Sequence, residues 1–359
     1  MSSARRLRTL YLEWSPPLSA PDNWDSLSYC RDWRNAFVSS PRLDVMVCDI
    51  SRPHEVLAAA TQLDSFDLIV ISHIALGDNV ADISPWAEPL SLRRGALVSF
   101  IGNEYDLMDE KVAFLRDARA DLVCSQLTLP AAKYLYDEAL PHSRIVCMPH
   151  ALNPEHYNTL QPASRTVDLG FVGSVYPLWI GDMERTMMLL LTDKIAPLLD
   201  LTHDIRLKNL SRDAWASFLR SSRYIIGAES GTYYLHGRGA LLAEAKGWCR
   251  ANPEAQFDAV EARFFTQRDG VPSGKTISSR HFEPIGTRTG QILVEGDYTG
   301  VLTANEHYIP VRKDFKDLEV ALTRARDEGE RLAMTDRAWQ HVMDGQTHAH
   351  RVNAVLDML

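Results

Sequence analysis

Six short runs rich in Val, Ile and Leu recur through the first part of the chain: Leu7–Trp14, Leu43–Ile50, Asp67–His73, Ala96–Ile101, Leu122–Ser125 and Arg144–Met148. None shows a clean alternation of polar and apolar residues. A strand with one face in water alternates with a period of two. A strand covered on both faces reads as a nearly continuous apolar run. The runs therefore predict a parallel sheet lying between layers of helix. Helical segments at His54–Leu63, Glu110–Arg119 and Ala131–Leu140 separate them, and strand alternating with helix predicts a doubly wound α/β domain.

Around Ala151–Arg165 the rhythm breaks at Asn153-Pro154 and Gln161-Pro162, which predicts an interdomain connection. A second series follows. Its strands are expected at Val167–Val172, Asp204–Leu207, Tyr224–Ala228, Gln291–Val294 and Tyr308–Val311. Its helices are expected at Asp182–Leu199, Asp213–Arg220, Arg280–Arg288 and Phe315–Arg326, with residues 232–278 as an irregular insertion. Val352, Val355, Leu356 and Leu359 form one apolar face of a final helix. The expectation is an α/β protein with two Rossmann-like domains facing a cleft, residues 1–152 and 166–340, and a C-terminal helix at 341–359. Ligands of such sheets bind at the carboxyl ends of the strands, near helix N-termini.

Composition narrows the partners. A net charge of −9 and a pI near 5.7 do not favour nucleic acid or an anionic membrane. The five cysteines are scattered without a C-x-x-C pair, which suits a reducing cytosol. No run approaches the ~18 apolar residues of a membrane span, and no signal peptide is expected. A cytoplasmic protein is anticipated, with peripheral contact at the inner membrane face left open.

The segment Ser278–Glu295 holds the densest chemistry. Small polar residues suit an N-cap, and a short helix then carries Arg280 and Glu283. Backbone N–H groups at its start and the Arg280 guanidinium can hold a phosphate or carboxylate. Glu283, one turn on, can accept both hydroxyls of a ribose. The competing reading is an amphipathic helix whose Arg280 and Glu283 simply face water.

The stretch Arg280, Phe282, Glu283, Gly286 and Gly290–Val294 resembles the C-terminal signature of glycosyltransferases with the GT-B fold. It is most similar to the group related to spore-maturation glycosyltransferases. Met148–Tyr157 looks like that fold's crossing between domains, and Asp168–Ser174 like the first strand and phosphate-facing turn of its second domain. The resemblance spans roughly residues 144–326. It implies a nucleotide-sugar donor and a saccharide, lipid-linked or small-molecule acceptor, with neither metal nor cofactor. It further implies that Glu283 contacts the ribose, that Gly173 and Ser174 lie beside the donor phosphate, and that Arg206 or Lys208 meets the diphosphate. Ser230, His281 and Thr289 complete the expected donor set. One departure stands out. Retaining members carry a second glutamate eight positions before the ribose-binding one, and here that position is Lys275.

Glu229 follows an apolar strand and precedes Ser230-Gly231, so it is a candidate to bind sugar hydroxyls, act as a base or attack the anomeric carbon. A Glu-Ser-Gly turn ahead of an Arg-x-Phe-Glu helix is also similar to some retaining β-Kdo transferases, which use cytidine-monophosphate-linked donors. His73, at a strand end in the first half, resembles a histidine that many GT-B enzymes place against the donor sugar. Glu13 is the candidate base for inversion, and Asn103 and Glu104 are candidates to meet the acceptor. Retention and inversion both stay open. Gly270–Thr276 imitates a P-loop, but the required glycine is replaced by Asp269. His348 and His350 suggest a metal only weakly, without a neighbouring carboxylate cluster. The expected activity is metal-independent glycosyl transfer. The alternatives are a nucleotide-sugar epimerase of the same fold and a degenerate sugar- or nucleotide-binding protein.

Overall fold

The computed structural model describes residues 5–16, 27–160, 164–266 and 270–359. Gln161-Pro162 and Asp269 lie outside the described residues. Six parallel strands, β1 (Leu7–Glu13), β2 (Leu43–Asp49), β3 (Leu68–Ile71), β4 (Ala96–Phe100), β5 (Leu122–Ser125) and β6 (Arg144–Cys147), form one sheet in the order β2-β1-β3-β4-β5-β6. Leu68 and Val70 of β3 enter one core and Ile69 and Ile71 the other, so both faces are apolar. The covering helices are α1 (Ser28–Val38), α2 (Pro53–Ala60), α3 (Val80–Ile83), α4 (Ala87–Ser91), α5 (Met108–Asp117) and α6 (Leu129–Tyr136). The apolar runs of the sequence contain no sign of α1, whose charged Arg31, Asp32 and Arg34 surround the buried Trp33 and Phe37.

A second parallel sheet contains β7 (Val167–Val172), β8 (His203–Arg206), β9 (Ser222–Gly227), β12 (Gly290–Val294) and β13 (Ile309–Val311), in the order β13-β12-β9-β7-β8. Between β9 and β12 the chain forms β10 (Ser230–Thr232) and β11 (Gly274–Thr276), which pair antiparallel. Gly231 sits at φ +91°, where a Cβ would fall 2.2 Å from the Gly274 carbonyl oxygen. The helices of this half are α7 (Glu184–Ile195), α8 (Arg212–Ser221), α9 (Ala240–Ala251), α10 (Phe257–Phe264), α11 (Ser279–Gly286), α12 (Leu318–Arg324), α13 (Glu328–Gly345) and α14 (His348–Leu356).

Two expectations change here. The insertion at 232–278 is not irregular: α9 and α10 close their own apolar cluster around Tyr234, Leu242, Val260 and Phe265. The division at 340/341 falls inside the continuous helix α13. After it the chain returns to the first sheet. Leu152 and Thr347 pair as neighbouring parallel segments, and Val352, Val355 and Leu356 of α14 pack with Tyr11, Trp33 and Phe37.

At that return, rings gather in a dry cluster. The Trp33 indole N–H donates to His150 Nδ1 at 3.1 Å, and the His73 and His348 rings lie 5.3 and 4.9 Å from Trp33. His348 is buried and His350 caps α14 through Thr347, and no His, Cys, Asp or Glu group among the described residues is placed to hold a metal. Burial, reinforced for His150 by Arg351 and for His348 by His150, pushes both down to about 3. These groups stay neutral in the fold but take up protons when unfolded. Their stabilisation is therefore complete above pH ~6.5 and is lost as pH falls from there toward 3. Each histidine is expected to contribute up to ~1.4 kcal/mol of lost stability per pH unit in that window. Urea midpoints at pH 7 and 4.5 measure it, and equal midpoints would contradict neutral burial.

Candidate functional site

The carboxyl ends of the two sheets face each other across a cleft containing two adjoining cavities, of about 330 and 300 Å³. The first is cut into the second sheet and is lined by Gly173, Ser174, Trp215, His281 and Gln291. The second lies between the sheets, with Tyr29, Asn103, Glu104, Tyr105 and His150 on one wall and Ser230, Thr276 and Ser279 on the other. Tyr176, Arg185, Asn209, Ser278 and Arg280 line both.

Local sequence explains the frame. Gly173 follows β7 directly, and its φ of +150° suits a residue without a side chain. Ser278 caps α11, with His281 completing a reciprocal capping box. His281 Nδ1 accepts the Ser278 N–H at 3.0 Å, which leaves Nε2 to donate to the Ala228 carbonyl at 3.2 Å. Burial, with Arg185 adding, pushes this imidazole down to about 4. Its neutral form thus anchors the start of α11 to the end of β9.

Two arginines converge where the cavities meet. Arg280 donates to the Val172 carbonyl at 3.1 Å, and its guanidinium lies 4.7 Å above the Trp215 ring. Arg185 donates to the Ser174 carbonyl at 3.2 Å and to the Tyr176 hydroxyl at 3.1 Å, and stacks 4.2 Å over the Tyr176 ring. Burial pushes the Tyr176 phenol up, but Arg185 and Lys275, with hydrogen bonds from Ser230 and the Gly231 N–H, hold the group below its ordinary value. The Tyr176 hydroxyl also receives the Gly231 N–H at 3.0 Å. Two stacked guanidiniums, a helix start and a glycine turn make an anion cradle.

The sequence-derived candidates divide. Gly173, Ser174, Ser230, Arg280 and His281 line the cavities. Lys208 is exposed and lines neither, while its neighbour Asn209 lines both, and Arg206 is held by Asp204. Thr289 is 1% exposed and bonded to the Leu219 carbonyl and Arg165, behind the sheet's working end. Glu283 also lines neither cavity. Its oxygens accept the Trp215 indole N–H at 2.6 Å and the Ser28 hydroxyl at 2.8 Å, so it braces the indole under Arg280 instead of standing open to a ribose.

The catalytic candidates lie off the cavity walls. Glu229 lines neither cavity, accepts the Tyr298 N–H at 2.7 Å and packs beside Gly296, and burial raises its carboxyl. His73 is 3% exposed within the Trp33 cluster. Glu13 pairs with Arg34 at 3.1 Å beside a small separate cavity. Tertiary partners hold the two carboxylates, whereas His73 is packed among rings with its buried Nε2 unpaired. Asn103 and Glu104 do reach the cleft, although Glu104 accepts from Ser125, Tyr136 and Gln126. Lys275 is bonded to Asp182 at 2.5 Å in a buried pair, which removes the resemblance to a P-loop lysine. Arg185, Tyr176, Asn209 and Trp215 were not anticipated. No motif marks them, since only folding brings them to the cleft.

Comparison with protein-family models and with curated proteins gives no match. Solved structures share the fold. An α-glucosyltransferase in complex with UDP-glucose and DNA containing an abasic site aligns with a TM-score of 0.60 at 9% identity, over 99% of each chain. AviGT4, a glycosyltransferase involved in avilamycin A biosynthesis, aligns at 0.53 and 11% identity, over 98% of this chain and 96% of its own. Sucrose-phosphate synthase from Thermosynechococcus elongatus aligns at 0.51 and 10% identity, over 98% and 99%. The architecture is that of GT-B glycosyltransferases: two parallel-sheet units about a cleft, with a helical C-terminal tail.

Proposed function

We propose that this protein is a glycosyltransferase that takes a nucleotide-sugar donor in the cavity of the second sheet and an acceptor hydroxyl from the cleft between the sheets. The observation that carries the proposal is the convergence of Arg185 and Arg280 at the shared mouth of the two cavities. A diphosphate held there has its sugar directed into the cleft. As the bond from the anomeric carbon to the phosphate oxygen breaks, both guanidiniums and the α11 start stabilise the charge that develops, a role that needs no metal. A new bond forms to the acceptor oxygen, whose proton passes to the departing phosphate, and the nucleoside diphosphate leaves. Similarity to the spore-maturation group, carried by the α11 segment, belongs to the same proposal.

A second reading, binding without turnover, has its own support. Lys275 occupies the position of the retaining enzymes' glutamate, and both Glu229 and Glu283 are bonded internally. A panel of nucleoside diphosphates and their sugar conjugates separates the readings. Transferase activity is expected to appear as nucleotide-dependent thermal stabilisation together with slow release of free sugar from one conjugate. Stabilisation without release supports the binder, and no stabilisation by any nucleotide refutes both.

A further inference from the structure

Gln291 opens the apolar core of β12, beside Ile292, Leu293 and Val294, and is 1% exposed. A polar side chain in that place is costly unless its amide is satisfied. Half of it is. Nε2 donates to the His281 carbonyl at 3.0 Å, and because a carbonyl only accepts, this bond fixes which end of the amide points where. The other end, Oε1, has no hydrogen-bond partner. A buried acceptor without a partner is costly, so a ligand that supplies a donor there gains.

Gln291 lines the 330 Å³ cavity together with Trp215 and His281. The side-chain donors of these neighbours are already engaged: Trp215 Nε1 with Glu283, and His281 Nε2 with the Ala228 carbonyl. This inner wall therefore offers a ligand an acceptor. The mouth of the same cavity offers the opposite, the cations Arg185 and Arg280. A ligand that satisfies both ends carries an anion at one end and an N–H donor at the other.

Resting on the donor-site reading above, we infer that Gln291 is a specificity determinant of the cavity, whose Oε1 accepts an N–H of the donor's nucleobase. The base enters past the Arg280–Trp215 pair, and the amide held by His281 reads its edge. A nucleotide lacking a donor at that edge leaves Oε1 unpaired and is selected against.

The test uses the whole chain and two probes, inorganic pyrophosphate and the tightest-binding member of the panel UDP, CDP, GDP and ADP. Gln291→Met, which keeps the side-chain length and replaces the amide with a weakly accepting thioether, is expected to weaken the nucleotide at least tenfold and leave pyrophosphate unchanged. As an independent check needing no variant, the wild-type protein is titrated with that nucleotide after the base N–H groups are replaced by N-methyl, with an expected loss of at least tenfold. Unchanged nucleotide affinity in Gln291→Met, equal loss of both probes, or equal binding of the methylated nucleotide overturns the inference while leaving the donor site standing. If neither pyrophosphate nor any nucleotide binds the wild-type protein, the donor-site reading fails and the inference with it.

Discussion

Arg280→Ala is expected to weaken nucleoside diphosphate binding about a hundredfold, the loss of roughly 2.7 kcal/mol that a charge-assisted contact to a partly desolvated phosphate supplies. The guanidinium is held ready by two contacts, the Val172 carbonyl and the Trp215 face. Little ordering remains to be done when the anion arrives, and that preorganisation is why the effect should be large. Arg280→Lys is expected to recover only a small part. An ammonium does not stack flat on the indole, and it presents a point charge where the fork offers two N–H groups. The fold should tolerate both changes, because the residue is half-buried at the cavity mouth and Glu283 still holds Trp215. Calorimetric titration at fixed ionic strength measures the effect. An affinity within threefold of wild type in Arg280→Ala would mean that the anion binds elsewhere.

Lys275→Ala is expected to destabilise the protein by about 3–5 kcal/mol, the penalty for leaving a buried charge without its partner. Asp182, 4% exposed, accepts from Lys275 at 2.5 Å, and Glu184 lies 3.3 Å from the same ammonium. Burial alone would depress the lysine, but the two carboxylates overcome it and raise its proton affinity. A raised lysine stabilises fully below its unfolded value, so the pair should survive the neutral range and weaken only under strongly alkaline conditions. Lys275→Glu makes the argument sharper. It restores the Glu-x7-Glu spacing of retaining glycosyltransferases, yet it brings three carboxylates into one dry site and is expected to abolish folding, not to improve catalysis. Lys275→Met combined with Asp182→Leu should regain most of the stability lost in Lys275→Ala. Denaturant midpoints for these variants decide the matter, and a Lys275→Ala midpoint equal to wild type would show that the pair contributes nothing.

The position of Lys275 also illustrates how far pattern extends. By spacing it stands where an acid is expected in the resembled family. Its neighbours in space come from residues 182 and 184, more than ninety positions earlier in the chain. Glu229 and Glu283 carry the same lesson from the other side. Glu229 follows the end of β9 and Glu283 lies one turn into α11, but Tyr298, Trp215 and Ser28 take up their carboxylates.

The amino-acid sequence alone determined the parallel sheets and the backbone-built frame of the candidate site, namely the Gly173-Ser174 turn and the Ser278 cap of α11. Those features rest on short-range causes: apolar runs that must be covered on both faces, a φ suited to glycine, and a cap three residues from its partner. Tertiary structure alone decided the helical character of residues 240–264, the return of α14 to the first sheet, and the side chains that fill the cleft. Arg185, Tyr176, Asn209 and Trp215 become neighbours only after β7, β8 and the helices following them have packed. The direction of a side chain at a strand end is set by which distant group offers it the most favourable contact in the folded chain, and nothing within a few residues of it carries that information.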